Sequence, residues 1–283
     1  MSTPCLTCIY ILLAVSSLLV DSSRRPQQEP GPQINSGSRG DIFQKPRRFV
    51  KVRLPENQTR FTAEQKQLIL RIHNSYRSLV NPPATDMREL AWDDDLENYA
   101  WRHTQACTGA HSSGRMTKKW TSNSQSWEQW YNMGENLYYS YGSMYSLEEA
   151  FWMFWNEGKD YDINTMNCTH AKTCGHYQVL TTAKSYRVGC ALNRCTKFSV
   201  SRYPTPAVFV SCSYNAPFFT NVRPYTAGEA CSDCTMRKHG QRFQYCRHNL
   251  CIGPQMKFRL QGFDGNTSVV GLGHTSDTVQ QTL

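Results

Sequence analysis

A chain of 283 residues, 39% of them hydrophobic, is long enough to bury a sizeable core. Its formal charge of +9 is uneven: from Arg24 to Arg60 nine Lys/Arg face three Asp/Glu, whereas from Phe61 onward twenty-two face eighteen. The folded part therefore carries near-ordinary charge and shows no basic stripe with interleaved aromatics, which excludes a nucleic-acid binder.

The N-terminus reads as an export signal. Ile9 to Val20 is an apolar run too short to span a bilayer comfortably, so stable membrane insertion is not expected. Asp21-Ser22-Ser23 follows, with small residues suited to cleavage, and residues 1–22 are assigned as signal peptide even though no Lys or Arg precedes the run. Two of the 12 cysteines, Cys5 and Cys8, leave with it. The ten that remain are even in number, as a full set of disulfides in a secreted, extracellular protein requires. Sequons at Asn57, Asn167 and Asn266 are candidate glycosylation sites and must then face solvent.

Residues 23–60 are rich in Pro, Gln, Ser, Gly and Arg and read as a disordered basic arm, removable by trypsin up to about Lys51. The arm carries an integrin-type tripeptide, Arg39-Gly40-Asp41, and a candidate basic processing site, Lys45-Pro-Arg-Arg48. The globular domain is assigned to 61–225. Thr62-Ala-Glu-Gln65 is a capping box, and Leu68, Ile69, Ile72, Tyr76, Leu79 and Val80 follow at helical spacing until Asn81-Pro82-Pro83. A second helix fits Asp93 to Cys107, with Leu96, Ala100, His103 and Cys107 on one face. Ser146-Leu-Glu-Glu149 caps a third. Ser185–Leu192 and Ala207–Tyr214 are strands, so helices precede strands in an α+β layered domain. Cys231, Cys234, Cys246 and Cys251 then crowd a segment, 226–251, with so little apolar content that only cross-links are expected to shape it. Residues 252–283 read as a flexible tail.

Four polar residues stand out by their settings: His111 in CTGAHS, Glu135 in GENL, Glu157 in WNEGKDYD and His176 in CGHY. In this order, and together with HNSYR (73–77), NPPATDM, WDDDLENYAWRHTQAC, KSYRVGC and FVSCSY, they resemble the CAP superfamily of cysteine-rich secretory, antigen 5 and pathogenesis-related proteins. The ACSDC run resembles that family's hinge. No six-cysteine channel-regulating cap follows, so the organisation is similar to hinge-only venom-allergen-like members. Two stretches depart from the pattern: His176–Thr182 reads HYQVLTT where the family has HYTQVVW, and Pro217-Phe218-Phe219 replaces a Gly-Asn.

The resemblance implies a three-layer α-β-α sandwich followed by a small disulfide-rich hinge. It also implies the pairs Cys107–Cys195, Cys168–Cys174, Cys190–Cys212, Cys231–Cys246 and Cys234–Cys251, among the many that spacing alone allows. The same likeness implies a cleft lined by His111, Glu135, Glu157 and His176. Two imidazoles there, His111 and His176, can hold a divalent metal ion such as zinc, with the carboxylates orienting water. Binding of a sterol, a fatty acid or an extracellular protein is the implied role. The alternatives are a metal-dependent hydrolase, for which no nucleophile motif is present and no catalytic residue is assigned, and an integrin-directed or immunomodulatory protein acting through the arm. Seven aromatics around Glu135 (Trp120, Trp127, Trp130, Tyr131, Tyr138, Tyr139 and Tyr141) divide between core and ligand contact.

Overall fold

The computed structural model describes residues 41–113, 117–121, 126–130, 133–169, 173–234, 237–238, 241–242 and 245–253, with backbone alone for 41, 117–121, 126–130, 237–238 and 241–242. The signal segment, Arg39-Gly40, Asn266 and the tail beyond residue 253 lie outside these residues.

Helix α1 (Ala63–Ser78) begins where the sequence places it: Thr62 accepts from Gln65 N while the Gln65 side chain reaches back to Thr62 N. Helix α2 (Asp94–Gln105) is capped by Asp93, whose carboxylate accepts from Asp95 N and Leu96 N, and α3 (Leu147–Asn156) by Ser146. Among the strands, β1 (Val52–Arg53), β2 (Ala91–Trp92), β3 (Thr117–Thr121), β4 (Ser126–Trp130), β5 (Met133–Tyr141) and β6 (Met144–Tyr145) precede α3. After it come α4 (Gly175–Leu180), β7 (Arg187–Cys195) and β8 (Ala207–Pro217).

The central sheet has four strands in the order β2-β7-β8-β5, with β2 parallel to β7 and the other pairs antiparallel. Side chains alternate across β8 as strand geometry dictates. Val208, Val210, Cys212 and Tyr214 join the core beneath α1, α3 and α4, whereas Ala207 and Phe209 join Leu137 and Phe198 on the other face. Helix α2 covers that second face and approaches β7 so closely that a Cβ on Gly189 would meet Glu97 N at 2.1 Å. Helices on both faces of one mixed sheet make the three-layer α-β-α sandwich.

Arg77 and His73, both from the HNSYR run, are fully buried in α1. The Arg77 guanidinium donates to the carbonyls of Arg88, Leu180, Thr182 and Ser185 at 2.7–3.1 Å, joining α1 to the chain that leaves α4. Burial pulls its pKa down to about 9, so it stays charged at neutral pH. His73 contacts Ile69 O through Nδ1 and Tyr214 Oη through Nε2, each at 2.8 Å. Burial lowers its pKa from 6.5 to about 4; the nearby Arg77 adds to this and the Ile69 carbonyl opposes it.

Between those two values the unfolded chain binds a proton that the folded chain refuses, so stability rises with pH across that window. Going from pH 7 to about pH 4.5 should therefore cost the domain about 2.5 kcal/mol through His73. Urea midpoints at the two pH values, compared with a His73→Gln variant that keeps an amide donor and acceptor, test this; equal slopes for both proteins would refute it.

Three sequence expectations need correction. The first concerns residues 42–60, expected to be free of the domain. Phe43 is buried with its ring 4.8 Å from Trp155, the Trp155 indole donates to Ile42 O, Leu54 is buried, and β1 pairs with β6. Composition hid this because three spaced apolar residues do the anchoring. The second concerns the hinge, which is shaped by more than cross-links. Cys251 N donates to Met87 O, Glu89 N to Cys251 O, and Asp233 N to Thr85 O, so the hinge extends the chain that follows α1. Arg247 pairs with Glu89 at 2.9 Å across the same contact. The third is an omission: the strands read from sequence are Ser185–Leu192 and Ala207–Tyr214, whereas Glu135 lies within a further strand, β5.

Candidate functional site

All five disulfides join the cysteines that the resemblance implied. Two of them frame the cleft. Cys107–Cys195 ties the end of α2 to the end of β7, and the chain then turns through Cys107 (φ 45°) and Gly109 (φ 65°) toward His111. A Cβ at Gly109 would lie 2.5 Å from Ser201 Cβ, so glycine is required on both backbone and steric grounds. Cys168–Cys174 holds the entry to α4, whose first turn carries His176.

The four residues form two histidine–carboxylate pairs. His111 Nδ1 lies 2.8 Å from Glu135 Oε2, and His176 Nδ1 lies 2.7 Å from Glu157 Oε1. Each carboxylate also accepts a backbone N–H next to its histidine: Ser112 N at 3.0 Å and Tyr177 N at 3.1 Å. Asn136, beside Glu135 on β5, links the pairs by donating Nδ2 to the His176 carbonyl at 3.0 Å. The His176 ring stacks on Phe154 with centroids 4.7 Å apart, which fixes its plane.

An ionised carboxylate only accepts hydrogen bonds, so each Nδ1 carries a proton and each neutral ring keeps its lone pair on Nε2. Among the described residues nothing is hydrogen-bonded to either Nε2. The His111 side chain is 56% exposed, whereas Glu135 is buried: the carboxylate is fixed in the wall and the imidazole faces outward.

Sequence reasoning placed His103 on the core face of α2 and missed its part in the site. His103 Nδ1 lies 3.0 Å from Glu135 Oε1 and its Nε2 lies 2.8 Å from Ala110 O. Glu135 is thus gripped by two imidazoles and one backbone N–H. Burial pushes its pKa up, but those three partners prevail and hold it far below the usual carboxylate range. The only available signal was a histidine on an otherwise apolar helix face. Ser211 Oγ also approaches His103, at 3.3 Å, but on Nδ1, the same nitrogen as the carboxylate. Acyl transfer by serine needs hydroxyl and carboxylate on opposite ring nitrogens, so these residues do not form such a triad.

No three described His, Cys, Asp or Glu residues in the cleft bring their ligand atoms together. The set that does, Cys231, Cys234 and Cys251, is committed to disulfides. The carboxylates hold the two rings through Nδ1, so Nε2 is the ring atom of His111 and of His176 that has no hydrogen bond among the described residues.

The model of the cysteine-rich secretory protein (CAP) family matches residues 70–214, half of the chain. The chain belongs to the CAP family. Human GLIPR1-like protein 1 is 32% identical over 185 residues, covering 65% of this chain and 69% of its own. Bovine peptidase inhibitor 16 is 30% identical over 191 residues, and mouse glioma pathogenesis-related protein 1 is 31% identical over 189. Each alignment covers 66% of this chain, but the chain spans only 36% and 64% of those two relatives. Among solved structures, hookworm platelet inhibitor (TM-score 0.51, 19% identity) aligns over 69% of this chain and 94% of its own. NaASP2 with Zn2+ (TM-score 0.51, 22% identity) aligns over 70% and 98%. These likenesses establish the fold.

The departures within this CAP domain are accommodated by local packing. In HYQVLTT, Leu180 is buried and Thr181 and Thr182 back-bond to the Tyr177 and Gln178 carbonyls, closing α4. Phe218, in place of the family's Gly-Asn, packs against the main core. Of the aromatics around Glu135, Tyr138 is buried, Tyr139 stacks on Phe209 at 5.2 Å, and Tyr141 is 65% exposed. The other four side chains lie outside the described residues. No described helix is long and apolar enough to cross a membrane. The sequons at Asn57 and Asn167 are both exposed.

Proposed function

We propose that the chain is a secreted, glycosylated CAP-family binding module whose cleft takes a divalent cation through His111 and His176. The observation that carries this reading is the pair of Nδ1–carboxylate contacts, which leaves two Nε2 lone pairs without partners among the described residues. Zinc suits imidazole ligands, and two of them leave open positions for water or a group from a bound partner. The solved relative that holds Zn2+ supports the same choice of metal. When bound, the ion would polarise an oxygen of whatever completes its coordination. This chain's own residues orient the rings and, by accepting from Nδ1, place the lone pair of the neutral ring on Nε2.

Binding rather than turnover is favoured because, among the described residues, no nucleophile is set against a base in the cleft. Relatives named as a peptidase inhibitor and a platelet inhibitor point the same way. The partner class is an extracellular protein or a lipid such as a sterol or fatty acid, and extraction of the purified protein with organic solvent separates the two.

Calorimetric titration with zinc should give one site in the wild type and none after joint replacement of His111 and His176 by alanine. Affinity should also fall on acidification, since a protonated imidazole is no ligand. A Glu135→Gln variant should bind about 10–100-fold more weakly, because the amide carries no charge and offers one acceptor oxygen where Glu135 meets His111, Ser112 N and His103 with two. Undiminished binding in the double variant would overturn the proposal.

A further inference from the structure

Lys45, Arg47, Arg48, Lys51 and Arg53 fall within nine residues, and all five are exposed. The segment that bears them is held in place. Phe43 enters the core at one end. Phe49 packs on Trp152 with centroids 5.7 Å apart in the middle, and Lys45 Nζ lies 5.7 Å from both rings. Leu54 is buried at the far end, where its N–H donates to Ser143 O, and β1 pairs with β6 immediately before it. The apolar residues at 43, 49 and 54 thus face the domain while the cations between them face solvent.

Among the described residues only Lys51 has an acidic partner, Glu149 at 3.1 Å. Arg47, Arg48 and Arg53 pair with no described carboxylate. Like charges within a Debye length of about 8–10 Å repel, and among the described residues Glu149 is the one carboxylate paired with these cations. A linear polyanion would offset the repulsion, and because the segment is already ordered, little conformational entropy would be lost on binding.

We propose that Lys45–Arg53 is a docking ridge for a sulfated polysaccharide of the extracellular matrix. The choice of a sulfated glycan over nucleic acid or an anionic inner-leaflet membrane rests on the proposed export of the chain, which removes it from both. Guanidinium groups suit sulfate because their forked donors match its oxygens. At most about 28 Å of chain separates the first and last cations, enough to follow several sugar units.

The test compares two triple charge reversals in the full chain. One is Arg47→Glu, Arg48→Glu and Arg53→Glu. The other, at exposed positions at the end of β7 and in the β7–β8 connection, is Arg194→Glu, Lys197→Glu and Arg202→Glu. Each lowers the formal charge from +9 to +3. On immobilised heparin at about 0.15 M salt, the ridge variant should lose at least tenfold in affinity and much of its salt dependence, while the other stays within about threefold of wild type. The ridge changes leave Phe43, Phe49 and Leu54 in place, and near-ultraviolet circular dichroism checks that the variant folds. A second readout uses the wild type alone: saturating heparin oligosaccharide should protect the bonds after Arg47 and Arg48 from trypsin. Equal losses in both variants would show a net-charge effect and overturn the proposal. So would unchanged cleavage, or a ridge whose reversal abolishes binding to phosphatidylserine vesicles but spares heparin.

Discussion

Arg77→Leu is expected to lower the stability of the domain by about 4 kcal/mol, because it strips donors from buried carbonyls rather than merely removing a charge. The guanidinium is the shared partner of the Arg88, Leu180, Thr182 and Ser185 carbonyls. Each acceptor left buried and unmatched costs about 1–3 kcal/mol, reduced wherever water can enter. Leucine fills part of the space but donates to none of them. Lysine is an informative second variant: it keeps the charge but has a single nitrogen, which cannot span four carbonyls on two chain segments, so most of the loss should persist. Denaturant unfolding under non-reducing conditions measures both. A loss below about 1 kcal/mol for Arg77→Leu would mean that water already serves these carbonyls.

Joint replacement of Cys107 and Cys195 by serine should cost about 4–5 kcal/mol, the largest effect of any single cross-link here, because the bridge closes by far the longest loop. Its sequence separation is 88, against 22 for Cys190–Cys212 and 6 for Cys168–Cys174. A structural consequence should accompany the loss. The bridge fixes the turn that presents His111, so the variant should also bind zinc more weakly, whereas removal of Cys231–Cys246 in the hinge should leave metal affinity unchanged. Unfolding midpoints and zinc titrations on the two variants check the two halves separately. Equal destabilisation by both removals would contradict the loop-length argument.

Much of this organisation is legible in the residues. Thr62 with Gln65, Asp93 and Ser146 mark helix starts because capping is local chemistry, written within four residues. The strands β7 and β8 show as apolar runs. Strand β5 does not: it is buried along nearly its whole length, so MGENLYYSY shows no alternation and carries Glu and Asn inward. Its polar residues are there for the cleft, and that requirement overrides ordinary strand patterning. The arm was misread for a related reason, since sparse anchors at Phe43, Phe49 and Leu54 carry little weight in a composition average. His103 could not be assigned from sequence, because its role depends on a strand thirty residues away folding beneath it. The cysteine pairing came from family likeness, as spacing alone cannot choose among so many connectivities.

The claim on which the functional reading stands is that both cleft imidazoles ligate the same cation. X-ray absorption at the zinc edge on the stoichiometric complex tests it most directly. The expected spectrum shows nitrogen or oxygen ligands at about 2.0–2.1 Å, with the multiple-scattering pattern of two imidazoles that disappears in the His111→Ala, His176→Ala variant. A first shell containing sulfur at about 2.3 Å, or an imidazole pattern that survives the double substitution, would place the metal elsewhere and contradict it.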